Sequence, residues 1–164
     1  MAETLTSGDA RHLQAAQGWF ELGDYIEANK ELESISPQFR SHHAVLEFRW
    51  QICAKAKDWI ACVDIGKALT ELAPDKAVSW IHHAYALHEL KRTQEAFDVL
   101  SPVAVKFPAD ATIPYNLACY TCQLGDLVAA RDWLAQAFRL GNAMEIKSRA
   151  TEDPDLAPLW RQGD

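Results

Sequence analysis

No stretch of this 164-residue chain approaches the roughly 20 apolar residues that cross a bilayer. The start, Met-Ala-Glu-Thr-Leu-Thr-Ser-Gly-Asp, lacks the basic and apolar runs of a secretory signal. The expectation is a soluble, cytoplasmic protein without membrane insertion. Basic residues are in deficit: 16 Lys and Arg stand against 23 Asp and Glu, a formal charge of −7, with no basic stripe. That argues against nucleic acid as a partner, because affinity for a phosphate backbone rests on clustered cations that release counterions. Glycine-rich phosphate loops, a Gly-x-Ser-x-Gly elbow and His-Glu-x-x-His are all missing, so the chain is expected not to be an enzyme and to need no cofactor. Strand signals are missing too. The four cysteines fall inside expected helices, which suits reduced thiols better than a disulfide framework.

What the chain does have is a period. Gly23, Lys57, Lys91 and Gly125 stand 34 residues apart and open the phrases Gly-Asp-Tyr, Lys-Asp-Trp, Lys-Arg-Thr and Gly-Asp-Leu. At the same interval Ala28, Cys62, Ala96 and Ala130 are small, Ile35, Leu69, Val103 and Ala137 are apolar, and Pro74 and Pro108 close the second and third copies. One supersecondary unit repeated four times explains these columns. Leu13, Ala16 and Phe20, and later Leu117, Tyr120 and Leu124, follow the three-to-four spacing of a helix with a buried stripe. Thr6 with Asp9 resembles a capping box, Asp110 or Thr112 ahead of Pro114 gives a start, and Gly141 gives a stop. These signals predict helices over about 9–22, 25–35, 41–56, 59–72, 77–90, 93–106, 112–124 and 127–140.

Period and columns together resemble the tetratricopeptide repeat, a helix-turn-helix of 34 residues. The third copy supplies Trp80, Ala84, Leu87, Ala96, Leu100 and Pro108, and the fourth Leu117, Ala118, Gly125, Ala130, Leu134 and Ala137. The resemblance covers roughly residues 9 to 142 and implies an all-α fold: a right-handed α-solenoid of antiparallel helix pairs, about eight repeat helices plus a short capping helix. The expected organisation is a single unit over 1–164, with repeats near 9–42, 43–76, 77–110 and 111–142 and a C-terminal cap over 143–164. The tail, with Leu156, Leu159 and Trp160, would cover the apolar face that a fifth repeat would have covered. In the second copy sizes are inverted, with Trp50 where Ala16, Ala84 and Ala118 stand and Gly66 where Leu32, Leu100 and Leu134 stand. The expectation is a volume swap in which the Trp50 ring fills space left by Gly66. Trp19, Trp59, Trp80 and Trp133 are also expected in the core.

The resemblance implies a job as well: a non-catalytic protein-protein interaction module, acting as adaptor, co-chaperone or assembly scaffold, that holds a peptide or helix against the inner faces of its first helices. Carried over position by position, that groove is Leu13, Gln17 and Phe20; Glu47, Phe48 and Gln51; Val78, Ile81, His82, Tyr85 and His88; and Tyr115, Asn116, Cys119 and Cys122. Its lining is aromatic and neutral, which implies modest affinity with little salt dependence, anchored on Tyr85 and Tyr115. It lacks the Lys, Arg and Asn clamp that grips the acidic C-terminal tails of heat-shock chaperones: Leu13, Gln17, Phe48, Val78 and His82 stand there, of which only Gln17 is chemically close, so those tails are not expected as partners. Two alternatives remain. Small acidic chaperones of bacterial type III secretion are similar in size and charge. Cys119-Tyr-Thr-Cys122, with His82 and His88 from the neighbouring helix, has donors for a metal or thiol site, although packed apolar thiols explain the same residues and no metal is expected.

Overall fold

The protein is described by a computed structural model over residues 4–161. Helices α1 (Ser7–Glu21), α2 (Tyr25–Ser34), α3 (His43–Lys55), α4 (Trp59–Leu72), α5 (Ala77–Glu89), α6 (Thr93–Leu100), α7 (Thr112–Gln123) and α8 (Leu127–Leu140) form four consecutive pairs. The tail adds α9 (Ala143–Glu152), a 3-10 turn at Pro154–Leu156 and α10 (Ala157–Arg161). No strand occurs among the described residues, and no helix among them is long and apolar enough to cross a membrane.

Each pair is punctuated alike, for reasons visible in the residues. The turn needs a left-handed backbone, supplied at Gly23 (φ 83°), Lys57 (57°), Lys91 (63°) and Gly125 (88°). The following Asp24, Asp58 and Asp126 accept hydrogen bonds at 3.0, 3.1 and 2.9 Å from the amides of Glu27, Ala61 and Ala129, satisfying donors that a helix start leaves free. The third pair has Arg92 there and no side-chain cap. At the chain start Thr6 caps α1 by accepting from the Asp9 amide at 3.2 Å. The Asp9 carboxylate does not close the reciprocal half of a capping box; it accepts from the Thr6 hydroxyl and, at 2.8 Å, from the Ser36 amide, tying α1 to the end of α2.

The small column is fully buried: Ala28, Cys62, Ala96 and Ala130 expose nothing. Two expectations need correction. The helix expected over 93–106 stops at Leu100, because Pro102 has no N–H to continue the ladder, and Ser101–Val103 tightens into a 3-10 turn. The volume swap fails as well. Trp50 is buried, but what occupies the space beside Gly66 is α5: a Cβ on Gly66 would lie 2.7 Å from the His83 Cα and 3.0 Å from its Cβ. Gly66 lets the fourth helix approach the fifth. Trp50 is held instead by His82, whose ring stacks on the indole at 3.9 Å and 4°.

Beyond Gly141 the tail folds back onto the last pair. α9 and α10 lie on α8, the Pro154–Leu156 turn lies on α7, and Ala150, Leu156 and Leu159 join the core built by α5 to α8. Trp160 stays 44% exposed, its indole N–H donating to the Ala150 carbonyl at 3.0 Å and linking α10 to α9. As a result Ile113 through Cys122 are buried without a break. A helix apolar or neutral on every side suits that position.

Candidate functional site

The odd-numbered helices lie side by side, α1 against α3, α3 against α5 and α5 against α7, and present the inner face. Two hollows open on it, and they share Tyr85.

The first hollow, about 340 Å³, is lined by Phe20, Trp50, Gln51, Ala54, Lys55, Trp59 and Tyr85. Three aromatic pairs meet edge to face: Phe20 with Phe48 at 5.3 Å, Trp50 with Tyr85 at 6.3 Å, Trp59 with Tyr85 at 5.8 Å. Such pairing stiffens a wall beyond what area burial alone would do. Burial, then the neighbouring Glu89, pushes the Tyr85 phenol up to about 12, so it stays neutral while 38% exposed. His82, stacked under Trp50, is pulled down to about 4 by desolvation and is neutral at physiological pH.

The second hollow, about 400 Å³, lies between the inner face and the tail. The Tyr115 hydroxyl donates to Asp153 Oδ2 at 2.7 Å, and the Cys119 thiol sits 3.7 Å from the same oxygen. Arg149 places its guanidinium 3.7 Å from the centre of the Tyr115 ring. His88, 3% exposed, bridges the two layers: Nε2 is 2.9 Å from Asp155 Oδ2 and Nδ1 is 3.0 Å from Thr93 Oγ1. Gln123 donates to the Asp155 carbonyl at 2.8 Å. The His88 contact, more than any other, holds the Asp155 carboxyl below its usual range.

The groove residues named from the sequence therefore divide. Phe20, Gln51 and Tyr85 line the open first hollow, and Gln17 is exposed on α1. Leu13, Phe20 and Phe48 also belong to the packing between α1 and α3, while Glu47, Val78, Ile81 and His82 are half-buried. His88, Tyr115, Asn116 and Cys119 line the second hollow and, with Cys122, are buried beneath or beside the tail. Trp59, Glu89, Arg149, Glu152, Asp153 and Asp155 line the hollows without having been read from the sequence. The lining departs from neutrality at this end, because the tail brings its own carboxylates. Among the other indoles, Trp19 is 38% exposed, outside the core expected for it, while Trp59, Trp80 and Trp133 are half-buried and pack against the core.

The donor set imagined for a metal or thiol site does not assemble. His82 is taken up by Trp50, and Cys122 lies against the Leu159 backbone. Among the described residues, Cys119 converges instead with Asp153 and Asp155, their donor atoms within 4.8 Å of one another. Burial first, then those two carboxylates, pushes the Cys119 thiol well up, and burial pushes Cys122 up too. Both are protonated, poorly nucleophilic thiols.

No family model matches the chain, and neither does any curated protein. Solved structures do. TTC0263, a thermophilic TPR protein of Thermus thermophilus, superposes with a TM-score of 0.75 at 20% identity, over 93% of this chain and 81% of that one. MamA from Desulfovibrio magneticus RS-1 gives 0.73 at 18%, over 98% and 99%. Yeast Tom70 gives 0.70 at 16%, over 95% of this chain and 37% of that one. The fold is thus of the tetratricopeptide type, as the 34-residue columns implied.

Proposed function

We propose that the protein is a non-catalytic interaction scaffold whose inner face binds a peptide or helix of another protein. The observation that carries this is the first hollow: four aromatic side chains with Gln51, Ala54 and Lys55 around about 340 Å³, open to solvent. Tyr and Trp give large contact area at small loss of rotamer freedom, which is why they recur at binding hot spots. An apolar anchor seated in the hollow against Trp59 and Tyr85 would gain about 1.5–3 kcal/mol. After ordering costs, affinity is expected near micromolar. The neutral, protonated state of every buried thiol supports binding over thiol chemistry.

The test is selection of displayed peptides against the protein, followed by titration of the winners into wild type, Trp59→Ala and Tyr85→Ala. Winners should carry an aromatic or branched aliphatic residue and lose at least tenfold in affinity to either variant, with helical content unchanged. Equal binding to both variants would remove the first hollow from consideration. Tyr115 is the wrong probe for this purpose, since it is tied to Asp153 and its loss would loosen the tail.

A further inference from the structure

The second hollow is chemically unlike the first. Its wall carries the carboxylates of Glu89 on α5 and Glu152, Asp153 and Asp155 on the tail, against one guanidinium, Arg149, and the imidazole of His88. Arg149 already shows what this wall accepts: it lies flat over Tyr115 at 3.7 Å, a cation on an aromatic face. Asp153 is engaged by Tyr115, Asp155 by His88 and Glu89 by the neighbouring Tyr85 phenol, while neither Glu89 nor Glu152 has a cationic partner among the described residues. One more group is unanswered. Tyr120 lines the hollow, is 1% exposed, and its hydroxyl finds no hydrogen-bond partner.

We infer that this hollow receives a basic side chain, an arginine or lysine of a bound protein segment, between Tyr85, Glu89 and the tail carboxylates. The assignment rests on reading the inner face as a protein-binding surface, and it names the chemistry of that surface's second half. Volume agrees, since about 400 Å³ takes one long side chain with part of its backbone. Charge agrees, because an anion would meet uncompensated carboxylates and a neutral group would leave them unanswered. Tyr85, shared with the first hollow, puts the basic residue next to the apolar anchor in a single ligand.

Two probes test it: acetyl-Gly-Ser-Arg-Ser-Gly-amide and the same peptide with citrulline, which keeps the shape and removes the charge. Protein amide shifts are followed by NMR during titration. The arginine peptide should shift Tyr85, Glu89 and Tyr120 with Kd of about 0.1–1 mM, and the citrulline peptide should bind at least tenfold more weakly. Glu89→Gln and Glu152→Gln should each weaken the arginine peptide severalfold, and about 500 mM salt should do the same. Arg149→Ala should tighten it, because an internal competitor is removed; a merely structural arginine would give the opposite sign. Equal binding of the two peptides, shifts confined elsewhere, or zinc held stoichiometrically with exclusion of the arginine peptide would each overturn the assignment. If the aromatic peptides bind the first hollow and the arginine peptide does not bind the second, the scaffold reading stands and this one falls.

Discussion

His88 and Asp155 decide at the residue scale whether the tail stays on the inner face. The imidazole has a partner on each nitrogen, and one of them comes from 67 residues further along the chain. Replacing Asp155 with Ala strands a buried ring nitrogen, so a loss of about 1–3 kcal/mol is expected, read as a lower midpoint in denaturant unfolding. Asp155→Asn should lose less. The Asp155 carboxyl sits below its ordinary 3.8 in the folded protein. Its contribution is therefore complete above that value and disappears as pH falls through the lower folded one. His82 acts in a different window. Its ordinary value of 6.5 drops to about 4 on folding, so between those two values the unfolded chain takes up a proton that the folded chain refuses. Stability must fall with pH across that range, by about 1.4 kcal/mol per pH unit at most from this one group. His82→Phe keeps a flat ring for Trp50 to stack on and should flatten the dependence of Tm on pH between 6.5 and 4; an unchanged slope would assign it elsewhere.

At the scale of the helix, the repeat is legible because the same physical need recurs every 34 residues: a left-handed turn, an acidic cap, a small residue where two helices approach. The third pair meets the first two needs poorly. Lys91 holds φ 63°, a conformation that costs a residue with a Cβ about 1–2 kcal/mol, and Arg92 offers no cap. Lys91→Gly with Arg92→Asp should raise stability by about 1–2 kcal/mol, although the exposed Arg92–Glu95 pair is given up. Enlarging the small column should do the reverse: Ala96→Leu is expected to lower stability by about 1–3 kcal/mol, and Gly66→Ala comparably, since His83 is backbone that cannot move aside cheaply. Gly66 also marks where sequence reading runs out. Its column sets the expectation of a large residue, but the contact that demands a glycine crosses from one pair to the next, and no column records the distance between pairs. The early end of α6 is readable in Pro102, but the regularity of the period outweighs it. The inner-face residues can be named from their columns, whereas Arg149, Asp153 and Asp155 cannot, because the tail lies outside the period and has no column to place it.

For the whole molecule, the tail turns one end of an open array into a closed layer. α7 packs against α5, α6 and α8, and the tail turn completes its enclosure, which is why ten successive residues from Ile113 to Cys122 are buried although only one face of such a helix is covered by its own pair. A second consequence follows for the thiols. Cys53 is half-buried on α3, and Cys62 is sealed between helix pairs with its thiol pushed up to about 12. Cys119 and Cys122 are sealed by the tail, at 5% and 3% exposure. In the native protein Cys53 should therefore react first with a thiol reagent such as DTNB, and the other three only through opening. Loosening the tail by Asp155→Ala, or by Leu156→Ala in the core beneath it, should accelerate Cys119 and Cys122 selectively while Cys62 keeps its native rate. That pattern reports local release of the tail, because a general loss of stability would speed Cys62 as well. Peptide mapping after partial labelling distinguishes the two, and uniform acceleration of all three would mean that the tail and the helix pairs unfold as one unit.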